Sequence, residues 1–456
     1  MGRSGRALRL VGVLTLIGLG GALLAGSLYV LGRSGAPAQL RATLSVAEAM
    51  RNQSDAGFAR AVATRAFSFP RDHGPHPDYK TEWWYYTGNL KTAAGRRFGF
   101  QLTFFRSALV ARPVERSSPW GANHVYMAHF AVSDVTGRRF YAFERLSRAA
   151  LGLAGAAAEP FHVWVEDWSA GPTGQEAPSM RLSAAAEGAA IDLTLRSLGP
   201  VVLEGDRGLS RKGPEPGNAS YYYSLTRIPT QGVVAIGSDT YQVSGWSWMD
   251  REWGTSALGK ELRGWDWFAL RLADGRDVMF YRLRRRDGSA DRRSAGTLIA
   301  PDGSTRALER EDVAIEVLDT RRSARTGSAY PAHWRLGIPR EGLALEITPW
   351  LPDQELDLTV RYWEGAVKVT GAANGRPIDG DGYVELTGYA DCSKGASAAP
   401  SEPPPGPNCA GEAGAGPSKG ASMAPSEPPP ESRCAGKAGA RNGLLRRAPG
   451  RAAGLR

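Results

Sequence analysis

Carboxylates set among tryptophans are costly unless something uses them, and one stretch of this chain concentrates both. Trp246-Ser-Trp-Met-Asp-Arg-Glu-Trp-Gly-Thr is followed by Gly264-Trp-Asp-Trp-Phe, so five of the thirteen tryptophans lie between residues 246 and 267. Asp250, Arg251, Glu252 and Asp266 are interleaved with them. Read as strands, Trp246, Trp248, Asp250 and Glu252 share one face, as do Trp265 and Trp267. An apolar wall with a few fixed polar groups is what a cavity for a hydrophobic ligand requires. Asp250 and Glu252 are therefore acid–base candidates, with Trp246, Trp248, Trp253, Trp265, Asp266, Trp267 and Tyr281 as candidate ligand contacts. The alternative is a structural ion pair, Asp250–Arg251 or Glu252 with an arginine, beneath a tryptophan-rich core.

A second segment runs from Phe69 through His73, His76 and Glu82 into four consecutive aromatics, Trp83 to Tyr86. On a strand, Trp83 and Tyr85 share one face while Glu82, Trp84 and Tyr86 share the other. A carboxylate between aromatics on a barrel interior is expected to have a raised pKa, which suits a general acid. Trp83, Trp84 and Tyr86 are candidate ligand contacts; the competing expectation is that Glu82 pairs with an arginine and the aromatics are core. His73 and His76 supply too few ligands for a metal, and the intervening prolines forbid a helical presentation. No metal or cofactor is expected. In the third segment, His124-Val-Tyr-Met-Ala-His-Phe, His129 sits mid-strand in apolar company, either at a cavity or as a satisfied core residue.

These residues need β-structure to position them. Phe98, Phe100, Leu102 and Phe104 alternate with smaller or polar neighbours, and Ile191, Leu193 and Leu195 do the same. Asp-Gly pairs at 274, 287 and 302 follow alternating runs and predict hairpins, with type I′ turns as the expected geometry. Successive hairpins suggest meanders that close into barrels to remove their edges. The expected body is all-β, with one barrel over 67–235 and another over 236–391.

The ends differ in kind. An uncharged run from Leu10 to Gly32 follows three arginines and is closed by Arg33. As a helix it would reach roughly 34 Å, enough to span a bilayer core of about 30 Å. Residues 1–36 are thus expected to be an inner-membrane anchor or a signal peptide, with 37–66 as a spacer and the body in the periplasm. From Cys392 to Arg456 the composition collapses to Gly, Ala, Pro, Ser and charge, and a Ser-Lys-Gly-Ala-Ser motif at 393 returns at 418. This segment reads as a disordered tail. Residues 1–36 carry four arginines and no acid, and 392–456 carry nine Lys/Arg against four acids, leaving 37–391 near +1 of the chain's +10. The basic character belongs to the ends, so nucleic-acid binding by the body is not expected. All three cysteines lie at 392, 409 and 434, which excludes thiolate catalysis and a disulfide framework within the body. No Gly-x-Ser-x-Gly elbow is present.

His76-Pro-Asp-Tyr-Lys-Thr-Glu-Trp-Trp-Tyr-Tyr-Thr-Gly, Met127-Ala-His-Phe-Ala-Val-Ser-Asp and Met249-Asp-Arg-Glu-Trp-Gly-Thr with Gly264-Trp-Asp-Trp-Phe-Ala-Leu resemble the lipocalin-like family that groups carotenoid 1,2-hydratases with AttH-type proteins. Trp350-Leu-Pro-Asp-Gln-Glu-Leu and Tyr362-Trp-Glu-Gly-Ala-Val extend the resemblance to about 67–390. It implies a pair of lipocalin-like (calycin-type) barrels, a hydrophobic isoprenoid or lipid ligand, and an ABC-type transporter permease as a partner. Activity transfers less completely. The hydratase motif Asp-His-Asn-Trp-Gly has a histidine where this chain has Arg251, and an arginine cannot supply a proton near neutral pH. A water-adding or hydrolysing enzyme, using Asp250, Glu252 and Glu82 with Arg251 as a further catalytic candidate, and a non-catalytic lipid carrier both remain open, with a structural envelope role as a third reading.

Overall fold

The computed structural model describes residues 55–389 except 174–178, 197–199, 256–257 and 260. The apolar run 10–32, the first part of the expected spacer, the tail and the three cysteines lie outside the described residues. No described helix is long and apolar enough to cross a membrane. Among the described residues the chain is antiparallel β-structure with short 3-10 turns and no α-helix.

The first sheet begins with a meander of β1 (Thr81–Lys91), β2 (Arg97–Ala108), β3 (His124–Asp134) and β4 (Arg139–Arg148). A second meander follows: β5 (Ala154–Ala158), β6 (Phe161–Val165), β7 (Trp168–Pro172), β8 (Ser179–Ala186) and β9 (Ala189–Arg196). The short β10 (Val202–Leu203) and β11 (Leu209–Arg211) both pair with β12 (Ala219–Ile236). The long hairpin of β12 with β13 (Asp239–Gly254) joins the two meanders, because β13 pairs with β1 and β12 with β9. The free end at β4 approaches β6, giving a nearly closed barrel. Its interior is filled by the alternating residues read from sequence, Phe98, Phe100, Leu102, Phe104, Ile191, Leu193 and Leu195 among them.

The second sheet comprises β14 (Leu262–Leu272), β15 (Asp277–Arg285), β16 (Ala295–Ile299), β17 (Thr305–Glu309), β18 (Ala314–Arg322), β19 (Ala329–Ile338), β20 (Leu343–Pro349), β21 (Glu355–Asp357), β22 (Arg361–Ala373) and β23 (Arg376–Leu386). It encloses its own core around Phe268, Trp334, Trp363 and Val384. The change of sheet falls between Gly254 and Leu262, whereas residues 235 and 236 lie at the end of β12 in the β12–β13 hairpin. From Asp55 onward the stretch read as a spacer is bound to the body: Ala61 is buried in the first core and Tyr221 Oη donates to Ala63 O at 2.8 Å.

The Asp-Gly turns form as expected but not as type I′. Gly275 and Gly303 have φ of +94° and +82°, while the preceding aspartates stay at negative φ. The Gly275 amide donates to Leu272 O and the Leu272 amide to Arg276 O, the pattern of a type I turn closed by a glycine bulge. Asp274 and Asp302 accept the amide protons of Arg276 and Ser304, which favours this three-residue form over the two-residue turn.

Candidate functional site

Strand alternation gives each sheet two faces, and the outer faces of the two sheets pack on one another. Tyr85, Tyr222 and Trp248 from the first sheet meet Trp267, Met279, Tyr281, Leu283, Ala366 and Tyr383 from the second in a third core. Bonds cross this seam: Asn89 Nδ2 donates to Gly382 O at 2.9 Å, and Ser210 and Tyr281 hydroxyls lie 3.0 Å apart. Within the seam is a cavity of about 200 Å³ lined by Trp83, Tyr85, Phe105, Trp265, Trp267 and Tyr281. Polar groups enter its wall at Asp250, Glu252, Lys212, Glu364 and Glu385.

Asp250 is held from three sides. Ser224 Oγ and Trp248 Nε1 donate to its Oδ1 at 2.6 and 2.7 Å, and the Tyr222 hydroxyl donates to Oδ2. Tyr222 Oη in turn accepts from Trp267 Nε1 at 3.2 Å, so the second sheet braces the first. Burial raises the carboxyl's pKa to about 7, against the pull of the three donors, and nearby Glu252 adds to the rise. Near neutral pH both protonation states are therefore populated.

Glu252 accepts from Ser220 and lies 3.4 Å from the Lys212 ammonium. Lys212 sits 4.1 Å over the Tyr281 ring. Burial disfavours its charge, but Glu252, Tyr281 and Glu204 outweigh that and keep it protonated. Behind Asp250, Glu204 lies 3.0 Å from the same Ser224 hydroxyl and accepts from Thr297, and burial with the Asp250 charge pushes its pKa up to about 8.

Glu82 is not a general acid with a raised pKa, and that expectation is corrected. It is fully buried at the edge of the cavity, on the same face of β1 as Trp84, where Arg106 and Arg251 both donate to it and the His76 amide adds bonds of 3.1 Å. Burial alone would raise the pKa, but the two guanidiniums hold the carboxyl well below the usual carboxylate range. The paired alternative is the one realised. Arg251 points into the first barrel: its guanidinium lies 4.0 Å over Trp84 and donates to Gly74 O. Trp84, Tyr86 and Trp253, expected as ligand contacts, belong to the first barrel's core, and Trp253 stacks on His76 at 3.7 Å. Asp250 and Arg251 do not pair with each other, because neighbours on a strand face opposite ways.

Trp83, Trp265, Trp267 and Tyr281 stand at the cavity as read from sequence. Trp248 positions Asp250 instead of walling the cavity, and Trp246 lies outside it, 5.3 Å beneath the Arg271 guanidinium. Asp266 turns towards the second core, bound by Arg284 at 2.8 Å and Tyr389 at 2.9 Å. His129 reaches the cavity wall, with Nδ1 2.8 Å from Tyr362 Oη and Nε2 3.0 Å from Glu144. Among the described residues no group of three or more His, Cys, Asp or Glu is arranged to hold a metal.

Sequence reasoning missed Tyr222, Glu204, Lys212, Glu364 and Glu385. The alternation Tyr362-x-Glu364-x-Ala366, with Trp363 and Val367 on the other face, carried the signal for Glu364. Lys212 and Glu204 sit in the Gly-rich stretch around residues 204–217, where no period points a side chain anywhere.

The family model described as AttH-like matches residues 60–389. A solved AttH protein from Nitrosomonas europaea is 34% identical with a TM-score of 0.65, over 73% of this chain and 100% of the other. Kievitone hydratase from Nectria haematococca is 15% identical with a TM-score of 0.56, over 72% of this chain and 95% of the other, a likeness of fold. No curated protein matches the chain.

Proposed function

The chain belongs to the AttH-like family, and from that premise we propose that it binds a hydrophobic isoprenoid or lipid in the cavity between its sheets and adds water to it by acid–base chemistry. The observation that carries this reading is Asp250: a carboxyl at an aromatic wall, fixed by Tyr222, Ser224 and Trp248, with a pKa near 7. A proton-transfer group works best when its pKa lies near the operating pH. Protonating an alkene leaves a carbocation, and the faces of Trp265, Trp267 and Trp83 offer it quadrupole stabilisation without a competing nucleophile. Water then adds to the cation, and its surplus proton passes to a carboxylate. The fold-level neighbour named as a hydratase is consistent with such chemistry on this architecture.

The histidine-to-arginine departure at 251 weighs little against this reading. Position 251 faces the first barrel, so a histidine there would not stand in the cavity. Expression at the outer face of the inner membrane, anchored by residues 10–32, and service to an ABC-type permease belong to the same proposal and rest on the N-terminal sequence and the family resemblance.

Native mass spectrometry with lipid extraction on the full chain, purified from a carotenoid-producing host, tests it. Recovery of a bound polyene together with its singly hydrated form, and of the unhydrated form alone from Asp250→Asn, supports the enzyme. A polyene or lipid bound unaltered by both proteins makes it a carrier. No hydrophobic ligand on either protein removes the cavity from the account.

A further inference from the structure

Water addition needs a proton given at one carbon and a proton taken from water, and Asp250 is built for only one of these. Three donors converge on it, which favours its anion. The facing wall is built the opposite way. Glu364 on β22 and Glu385 on β23 are direct cross-strand partners. Side chains so placed stand with Cβ atoms about 4.5–5.5 Å apart. Both border the cavity. Glu364 is 1% exposed, and neither of its carboxyl oxygens has a well-formed hydrogen bond. Glu385 is only part-buried and looks onto the cavity space. No cation is among the groups acting on either carboxyl; one donor each, Trp265 at Glu385 and Tyr85 at Glu364, opposes the rise without overcoming it.

We propose that Glu385 is the proton donor of the cavity, with Glu364 as its positioning partner, and that Asp250 on the opposite wall is the base that takes the proton from water. This rests on the hydration reading of the same cavity. The Glu385 carboxyl gives its proton to one carbon of the double bond, and the π pair forms the new C–H bond. Water bonds to the resulting cation and releases a proton to Asp250. The sum is alkene plus water giving an alcohol, and solvent exchange returns the proton from Asp250 to Glu385. Glu364 acts through Glu385: with one carboxyl fully buried and the other beside it, ionising both is disfavoured, so at least one proton stays on the pair. Burial and the mutual charge raise Glu364, and burial with the Asp250 and Glu252 charges pushes Glu385 up to about 8. Tyr85 from β1, Asp250 and Glu252 from β13, and Tyr362 and Tyr383 from the pair's own strands face it, and none of these is cationic.

Two measurements on the full chain test the assignment. Infrared difference spectra between acid and alkaline pH report protonated carboxylic acids directly. We expect protonated-acid carbonyl absorption at pH 7 that includes a component from this pair, set apart from those of Glu204 and Asp250 because Glu385→Gln and Glu364→Gln each shift it or lower its intensity while Asp250→Asn leaves it in place. With lycopene in detergent micelles as the probe, Glu385→Gln should lower hydration about a hundredfold or more. Glu364→Gln should retain part of the rate and move the alkaline limb of the pH profile to lower pH, which a merely structural role would not do. A wild-type spectrum with every cavity carboxyl ionised at pH 7 overturns the proposal, whatever the probe does. So does a Glu385→Gln protein that hydrates lycopene at the wild-type rate, an outcome that leaves the hydration reading standing. Wild-type protein that keeps the band but never hydrates any polyene contradicts the reading of function and removes Glu385's donor role with it, while the protonated state of the pair remains.

Discussion

Asp250 and Arg251 are adjacent on β13, yet their side chains work in different compartments. The carboxyl of Asp250 meets Tyr222, Ser224 and Trp248 at the seam between the sheets, and the guanidinium of Arg251 lies inside the first barrel over Trp84 and against Glu82. One position of strand parity thus separates the chemistry from the scaffold.

Arg251→His should therefore not create a hydratase or improve one. It removes one of two cations from a buried carboxylate, and breaking such a pair costs about 3–5 kcal/mol. Chemical denaturation should show that loss, and product analysis should show no gain in polyene hydration. A rise in hydration would place position 251 at the ligand.

Glu82→Gln should destabilise the protein without the pH signature of a lost catalyst. The substitution leaves Arg106 and Arg251 buried with their common anion gone. A loss of about 3–5 kcal/mol is expected from unfolding curves. The pH profile of any retained activity should keep its wild-type shape; a lost acidic limb would mean that Glu82 exchanges protons with the ligand.

Walls and core should separate cleanly. Trp267→Ala opens the cavity and removes the Nε1 donor to Tyr222, so it should weaken retention of lycopene, read by fluorescence quenching, more than it lowers stability. Trp84→Ala removes a fully buried indole from the first barrel and should cost about 3–5 kcal/mol with little direct effect on ligand retention per folded molecule. The reverse ranking would put the ligand inside the first barrel.

Stability should fall as pH rises across the neutral range. The folded-state pKa of Asp250, at about 7, and those of Glu204 and Glu385, at about 8, lie above their unfolded values. The native state then binds more protons than the unfolded one, so the stabilisation is full below about pH 4 and is lost as pH rises through about 7 to 8. Glu82 acts in the opposite sense, but only in acid, where its stabilising ionisation is lost as pH falls below the ordinary carboxylate range. Asp250→Asn should flatten the decline between about pH 4 and 7 in urea melts at fixed ionic strength. An unchanged slope would mean Asp250 ionises normally.

The strands were legible because period-two alternation is a local property. Phe98 to Phe104 and Trp246 to Glu252 declare their faces without knowledge of the partner strand. What faces what was not legible. The sequence put Glu82, Trp84 and Tyr86 on one face correctly, but nothing local says that this face is the barrel interior and that Trp83 and Tyr85 turn to the second sheet. The cavity lies between two outer faces, so it depends on the packing of segments more than a hundred residues apart. Glu364 and Glu385 meet Asp250 only through that packing. Turn chemistry was half legible: Asp-Gly marked the turn positions, but the aspartate side chains that bind the following amides chose the bulged form.

The rate of lycopene hydration by wild type and by Asp250→Asn, measured side by side from pH 5 to pH 9 with the product identified by the mass of one added water, bears most directly on the role given to Asp250. Wild type should form the alcohol with an acidic limb near pH 7, and Asp250→Asn should lose about 10²–10⁴-fold in rate while remaining folded and still retaining the polyene. An Asp250→Asn protein that hydrates as fast as wild type, with the same pH profile, would contradict the assignment of Asp250 as the acid–base group of this cavity.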